Sequence, residues 1–348
     1  MNELAEAQAP SGLRARWDRL RAEQPRLRIR DAALQLGVSE LQLLLTEADD
    51  EVIRLDGRPG DIMKALEGVG RVMTLTRNET VVHETKGEIR DLDVAENGQM
   101  GLCLGAIDLR LFLGQWAHAY AVNQAHGGGR DSLQFFDAAG GALHKVYRFD
   151  DAAGERWQAV VARFRADEQR PASAYAAPAA APVRRAPRDV AALLADWAKI
   201  SDLHQFFGML RRHDVDRLSA LEAAAPEWTQ RVPADALERA LKLAAERALP
   251  IMAFVGNAGV TQIYTGRVRN LMRTGPWFNV MDENFNLHAN TAAMQHAWLV
   301  RRPSEDGDIH SLEFFDVHGE LVLTLFGERK PGIPELTGWR ELLRDLHG

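Results

Sequence analysis

Apolar positions along the chain fall into two rhythms. In SDLHQFFGMLRRHDVDR (201–217), Leu203, Phe206, Phe207 and Leu210 recur at i, i+3, i+4 and i+7. That is the spacing of one buried helical face, and Ser201 stands where an N-cap is expected. In IDLRLFLG (107–114) the period is two: Ile107, Leu109, Leu111 and Leu113 point one way, Asp108, Arg110 and Phe112 the other. HGGGR (126–130) and DAAGGA (137–142) supply turn signals between further strand-like runs. Helical periodicity followed by a run of strands occurs twice, which predicts an α+β fold with antiparallel sheets rather than an alternating parallel one. On the 201–217 helix, at about 100° per residue, His204 lies roughly a quarter-turn off the apolar stripe. Gly208 falls one turn above it and Arg211 alongside. An imidazole, a bare stretch of backbone and a cation therefore share a face that is not the core.

The same text is written twice. RVMTLTRNETVVHETKGEI (71–89) parallels PIMAFVGNAGVTQIYTGRV (250–268), with Met73, Asn78 and Gly87 matching Met252, Asn257 and Gly266. IDLRLFLGQWAHAYAV (107–122) parallels FNLHANTAAMQHAWLV (285–300), and SLQFFD (132–137) parallels SLEFFD (311–316). Three blocks in one order, with single-residue slips, define a tandem duplication of two similar halves, each with helices followed by a large antiparallel sheet. The halves are expected at 1–169 and 190–348. Between them RPASAYAAPAAAPVRRAPRD (170–189) reads as an extended, exposed linker in which Arg184 and Arg185 are solvated.

Composition narrows the function classes. At 348 residues the chain can form two domains, and 46% hydrophobic with 26% charged residues is ordinary for a globular protein. A net charge of −7 gives no electrostatic drive toward nucleic acid or an anionic membrane. Cys103 is the one cysteine, so there is no disulfide framework, iron–sulfur ligand set or covalent haem attachment. The N-terminus lacks the basic start and apolar core of a secretion signal, and no apolar run approaches the ~18 residues of a membrane span. A cytoplasmic location without stable membrane insertion is the expectation.

Several motifs read blandly. RDAALQLGVSELQLLL (30–45) has the look of a helix-turn-helix, but the reading helix that would start near Ser39 carries acids and no Lys or Arg. Phosphate contacts need the opposite charge, so an αα corner is expected and nucleic acid is not. The glycine pairs of GVGR (68–71) and GNAG (256–259) lack the strand–loop–helix setting of a phosphate cradle and read as turns. The histidines show no zinc spacing; His310 and His318, beside acids, read as solvated. No nucleophile elbow is present. Gly208 and Phe112 remain unexplained. A mid-helix glycine costs ~1 kcal/mol relative to alanine, and Phe112 would be an aromatic on an exposed sheet face. A flat group lying against the backbone would account for Gly208, and a cleft that places an apolar plate beside Phe112 would account for Phe112 and Arg110.

With these residues in view, the sequence resembles the haemin-degrading-factor or haemin-transport family of Gram-negative bacteria, the HemS/ChuS type. The likeness runs through LGVSE, DLRLF, SLQFFD, DLHQFFGMLRRHDVDR, GPWFNVMDENFNLH and GWRELL, and through the duplication itself. It implies haem b as ligand or substrate, with His204 as the axial ligand to the iron. Arg110 matches the family's distal arginine, the catalytic candidate if the protein is an enzyme. Phe112 matches an aromatic lying against the porphyrin, and Arg217, Arg302 and Arg329 match basic residues near the propionates. The sequence departs from the pattern at GNAGV, where a cysteine is common after the glycine, and at Phe326, where a tyrosine is expected. His288 stands where the first copy has Arg110, so one site is expected.

Three functions follow from the resemblance. The first is a cytoplasmic carrier that binds haem after import, during iron acquisition, and hands it to a degrading enzyme. Its partners would be a haem oxygenase or an inner-membrane haem importer. The second is a haem-degrading enzyme that opens the ring and frees iron. The third, a haem-responsive DNA-binding regulator, rests on the 30–45 helix pair alone.

Overall fold

The computed structural model describes residues 10–47, 51–123, 129–150, 153–169, 175–178, 183–202, 204–330 and 332–346. The first part of the chain runs α1 (Pro10–Glu23), α2 (Ile29–Leu36), α3 (Glu40–Leu44), β1 (Val52–Leu55), α4 (Pro59–Lys64), β2 (Val72–Arg77) and β3 (Val81–Gly87). It continues through β4 (Asp93–Val94), β5 (Gly101–Cys103), β6 (Asp108–Leu111), β7 (His118–Val122), β8 (Ser132–Phe136), β9 (Ala142–Arg148) and α5 (Gly154–Phe164). The second part runs α6 (Val190–Trp197), α7 (Gln205–Arg212), α8 (Arg217–Ala223), β10 (Thr229–Arg231), α9 (Ala236–Glu246), β11 (Ile251–Gly256) and β12 (Val260–Gly266). Then come β13 (Leu271–Thr274), β14 (Trp277–Met281), β15 (Phe285–Asn290), β16 (His296–Arg302), β17 (Ile309–Phe315), β18 (Leu321–Gly327) and α10 (Thr337–Asp345). Helices followed by antiparallel strands occur twice, as the periodicity requires.

Two compact units form, and neither is a continuous stretch. Unit 1 comprises Met1–Thr76, Lys86–Ala179 and Asn257–Val260; unit 2 comprises Arg77–Thr85, Ala180–Gly256 and Thr261–Gly348. In unit 1 the order is β1-β7-β8-β9-β2, all antiparallel, with a smaller β4-β5-β6 group. In unit 2 it is β10-β16-β17-β18-β11-β12, and β13-β14-β15-β3 form a separate antiparallel group. Alternation sets the register: Leu109 and Leu111 are buried in unit 1 while Asp108 and Arg110 between them are not.

The duplicated asparagines explain the discontinuity. In unit 2 the Asn78 Nδ2 donates to the Val322 carbonyl (2.8 Å), while its Oδ1 accepts from the Thr80 and Val81 amides (3.0 and 2.9 Å). In unit 1 the Asn257 Nδ2 donates to the Leu143 carbonyl (2.8 Å), and its Oδ1 accepts from Gly259 and Val260 (2.9 and 3.2 Å). Each side chain closes its own turn and fixes it to a strand, which is what asparagine does in turns.

The helix pair at 30–45 is an αα corner. Gly37 adopts the left-handed conformation (φ 68°) that ends α2, and its amide reaches the Ala33 and Leu34 carbonyls. Ser39 and Gln42 form a capping box. Glu40, Leu41, Leu43 and Leu44 are buried, so α3 has its would-be reading residues in the core. Glu40 is neutralised there by Lys145.

The structure adds partners to two expectations of plain solvation. Arg184 is exposed but not free: it bonds the Ser219 hydroxyl (2.9 Å), Glu222 (2.6 Å) and Asp216 (3.2 Å), while the Arg185 amide is held by Asp216. The last part of the linker is thereby tied onto α8 of unit 2; positions 170–174 and 179–182 lie outside the described residues. The turn signal at 126–130 likewise lies largely outside them, whereas Asp137–Gly141 does join β8 to β9. His310 is not simply solvated either, since its Nδ1 sits 2.8 Å from Glu335.

Candidate functional site

Helix α7 begins later than its sequence suggests. His204, not Ser201, is the N-cap residue, and it has helical φ and ψ. Ser201 still organises the turn: its amide donates to the Gln205 Oε1 (3.0 Å) and its hydroxyl accepts from the Gln205 Nε2 (3.2 Å). The His204 amide is taken by Asp202 (2.7 Å), and the Ser201 carbonyl accepts from the Glu305 amide (3.1 Å). These bonds fix the backbone and leave the imidazole outside. It is exposed and has no hydrogen-bond partner among the described residues.

The buried face of α7 is Phe206, Met209 and Leu210, with Phe206 edge-on to the fully buried Trp197 at 4.9 Å. Burying such a side chain contributes ~1.5–3 kcal/mol, enough to set the rotation of the helix. Phe207, expected in that stripe, is instead 59% exposed, and Leu203 lies outside the described residues. With 100° per residue, Gly208 and Arg211 lie within roughly 40° of His204 on one face. A Cβ at Gly208 would meet nothing nearer than an Arg212 nitrogen at 3.6 Å. A cavity of about 540 Å3, lined by Phe207, Leu210, Arg211, Asp214, Val215 and Arg185, continues that face. An uncommitted imidazole, open backbone, an exposed ring and the Arg211 cation are the groups a haem would use: iron ligand, flat contact and carboxylate partner.

Unit 1 carries two of the predicted residues, Arg110 and Phe112. Arg110 on β6 is paired with Asp108 on the same face; burial raises the Asp108 pKa and the guanidinium opposes that shift. Arg110 stands opposite Leu102, and strand alternation brings Met100 (45% exposed) and Leu104 (53% exposed) to the same side. Phe112 is half-buried at the end of β6, its amide donating to the Gly259 carbonyl (2.9 Å). The face is thus apolar and aromatic around one arginine, and arginine does not normally bond iron. In the second copy His288 bonds Asn279 (2.7 Å).

The three remaining arginines, all in unit 2, each have a carboxylate partner. Arg302 is 2% exposed; it pairs with Glu313 and bonds the Ser311 hydroxyl (3.0 Å). Arg217 makes a forked contact to the same carboxylate (2.6 and 2.8 Å) and lies over Phe206 and Phe207 at 5.1 and 5.3 Å. Burial works against the Glu313 carboxylate, but the two guanidiniums prevail and hold its pKa down at about 2. Arg302 as placed is therefore an interior counter-ion, not a surface cation. Arg329 lies 3.5 Å from Asp306, which also accepts from the Gly332 amide (3.0 Å). Phe326 is buried edge-on to Phe254. Sequence reasoning missed Glu313, although a signal existed: it is the one change between SLQFFD and SLEFFD.

Among the described residues no three His, Cys, Asp or Glu side chains gather to hold a bare metal ion, and no helix is long and apolar enough to cross a membrane. The fold and these faces define a class: a tandem α+β duplication with an uncommitted histidine at a helix start in one unit and an arginine on an apolar sheet face in the other. The chain belongs to the family of the haemin-degrading HemS.ChuX domain, whose pattern matches twice, over residues 37–164 and 214–346. It is 36% identical over 313 residues to the hemin transport protein HmuS of Yersinia pestis, covering 89% of this chain and 90% of that one. Among solved structures it is similar to holo-PhuS, a heme-binding protein from Pseudomonas aeruginosa, at a TM-score of 0.92 and 44% identity over 96% of this chain and 98% of the other. It is also similar to the heme degrading enzyme ChuS of Escherichia coli O157:H7, at a TM-score of 0.88 and 34% identity over 97% and 99% of the two chains.

Proposed function

We propose that this protein binds haem through His204 and carries it during haem uptake and iron acquisition, working in the cytoplasm and passing haem to a degrading enzyme such as a haem oxygenase. The observation that carries the reading is the exposed His204 imidazole, without a partner among the described residues, on the same helix face as the open backbone of Gly208. The names of its relatives support haem as the cargo. In this reading a neutral imidazole supplies the iron ligand, and Phe112 provides an apolar contact for the ring. Arg110 serves as a hydrogen-bond donor that does not itself hold iron, so the cargo stays exchangeable. Arg217 and Arg329, with Arg211 on the His204 face, would meet the propionates; Arg302 contributes by holding Glu313.

His204→Ala is expected to weaken haemin binding by about tenfold or more and to shift the Soret band in a haemin titration. A spectrum and affinity like those of the unaltered protein would assign the ligand elsewhere. A second reading, degradation of the ring, is favoured by the naming of ChuS as a heme degrading enzyme. Haem-loaded protein would be incubated with a reductase in the presence of catalase. Stoichiometric tetrapyrrole product and released iron would establish the enzyme; bleaching abolished by catalase would leave the carrier.

A further inference from the structure

We infer that the turn Asn257–Val260 and the Trp116 indole together set the position of Phe112 and, through β6, of Arg110, which makes Gly259 and Trp116 positioning residues for the haem site. The inference rests on the haem reading for its functional meaning, but the geometry lies wholly within unit 1. Its interest is that the turn comes from the second copy of the repeat while the strand it supports comes from the first.

Phe112 follows β6 and precedes the short 3-10 turn Leu113–Gln115, and its amide, like any buried backbone donor, needs an acceptor. The Gly259 carbonyl supplies it at 2.9 Å, and the same oxygen accepts from the Trp116 Nε1 at 2.8 Å. Both lone pairs of one carbonyl are thus committed, one to the backbone of Phe112 and one to a side chain four residues on. The turn that presents this oxygen is rigid, because Asn257 bonds the Gly259 and Val260 amides with one end of its side chain and Leu143 with the other. Trp116 is buried and packed 4.6 Å from Phe135, so the indole cannot swing away.

Close approach also explains why residue 259 is glycine. A Cβ there would fall 2.6 Å from the Leu143 Cδ1 and 2.9 Å from the Trp116 Nε1. The equivalent turn in unit 2 gives the contrast. The Thr80 carbonyl accepts from the Asn290 amide at 2.9 Å, so the backbone contact belongs to the repeat. Yet that position tolerates a threonine, and Met294 stands where the first copy has Trp116. The glycine and the indole donor occur together, on the side that carries Arg110 and Phe112.

The test uses the full chain loaded with ferric haemin and follows the pH-dependent change in the visible spectrum that reports the haem side away from His204. Arg110→Ala sets the direction of the effect. Trp116→Phe, which keeps an aromatic ring and removes the donor, and Gly259→Ala are expected to move that transition by about half a pH unit or more in the same direction. Asn78→Ala removes the side chain that holds the equivalent turn in unit 2 and serves as the control: it should lower stability and leave the transition in place. In the haem-free protein, hydrogen exchange at the Phe112 amide should quicken by about tenfold in both unit 1 variants. The inference is overturned if Arg110→Ala moves the transition while Trp116→Phe and Gly259→Ala do not. It is equally overturned if Asn78→Ala moves it as far, or if Phe112 exchange is unchanged. Failure of the haem reading itself would show separately, as a spectrum indifferent to His204→Ala.

Discussion

Glu313 is an anion in the interior of unit 2, and two arginines that the family resemblance directs toward a ligand are engaged with it. A carboxylate stripped of water is strongly unfavourable unless its charge and lone pairs are met, and here Arg217, Arg302 and Ser311 meet them. Removing one partner leaves the others unbalanced in the core. Arg302→Ala is expected to destabilise the fold by about 3–5 kcal/mol in urea unfolding. Wild-type stability with a specific loss of haemin affinity would instead return Arg302 to the ligand. Phe206 shares in this arrangement, since the Arg302 guanidinium lies 4.2 Å from its ring and Arg217 lies 5.1 Å away. The residue that orients α7 is thereby also the one that covers the buried ion cluster.

At the level of elements, the two Asn turns do equivalent work in different units. Each joins a hairpin connection to a strand distant in sequence, through one side-chain amide of nearly identical geometry. Truncation to alanine leaves the Val322 or Leu143 carbonyl and two turn amides without their partner. Asn78→Ala and Asn257→Ala are each expected to lower stability by about 1–3 kcal/mol, measured by denaturant midpoint at unchanged m-value. A loss confined to one of the two would break the equivalence. Helix α7 shows the complementary case, where a local pattern meets a tertiary partner. Its spacing allows either Phe206 or Phe207 to anchor the helix, and contact with Trp197 selects Phe206.

For the whole molecule, the buried ionisable groups predict acid sensitivity. His144 is fully interior in unit 1, with Nδ1 at 3.0 Å from Thr76 Oγ1 and Nε2 lacking a partner among the described residues. Burial pulls its pKa down to about 3 from 6.5. The unfolded chain therefore takes up the proton first, and stability falls as pH drops from 6.5 toward 3. Glu313, lowered from 4.5 to about 2, acts in a lower window, its contribution being present above 4.5 and lost toward 2. His118 and His296 are also lowered by burial and share the upper window. His144→Leu installs the residue that the second copy carries at position 323. It is expected to flatten part of the stability slope between pH 6.5 and 4.5 in equilibrium unfolding. An unchanged slope there would mean that His144 titrates normally.

Much of this was legible in the chain itself. The period-two run around Arg110 gave the strand and both its faces, because alternation is enforced by backbone geometry alone. The offsets between Asn78 and Asn257 gave the duplication, and LGVSE gave a corner whose cap and αL glycine are local devices. The site was less legible. His204 could be placed on a non-core face, but not at the N-cap with its imidazole uncommitted. Arg302 could be recognised as basic, but not as the counter-ion of Glu313.

The division has a physical origin. Periodicity, capping and repetition act over a few residues, so the sequence by itself determined which segments form helices and strands and that the architecture occurs twice. Which of two neighbouring phenylalanines faces inward, which arginines remain available, and which copy's turn supports Phe112 depend on surfaces brought together from distant parts of the chain. Burial and charge compensation are settled only there, and so the tertiary structure alone decided them.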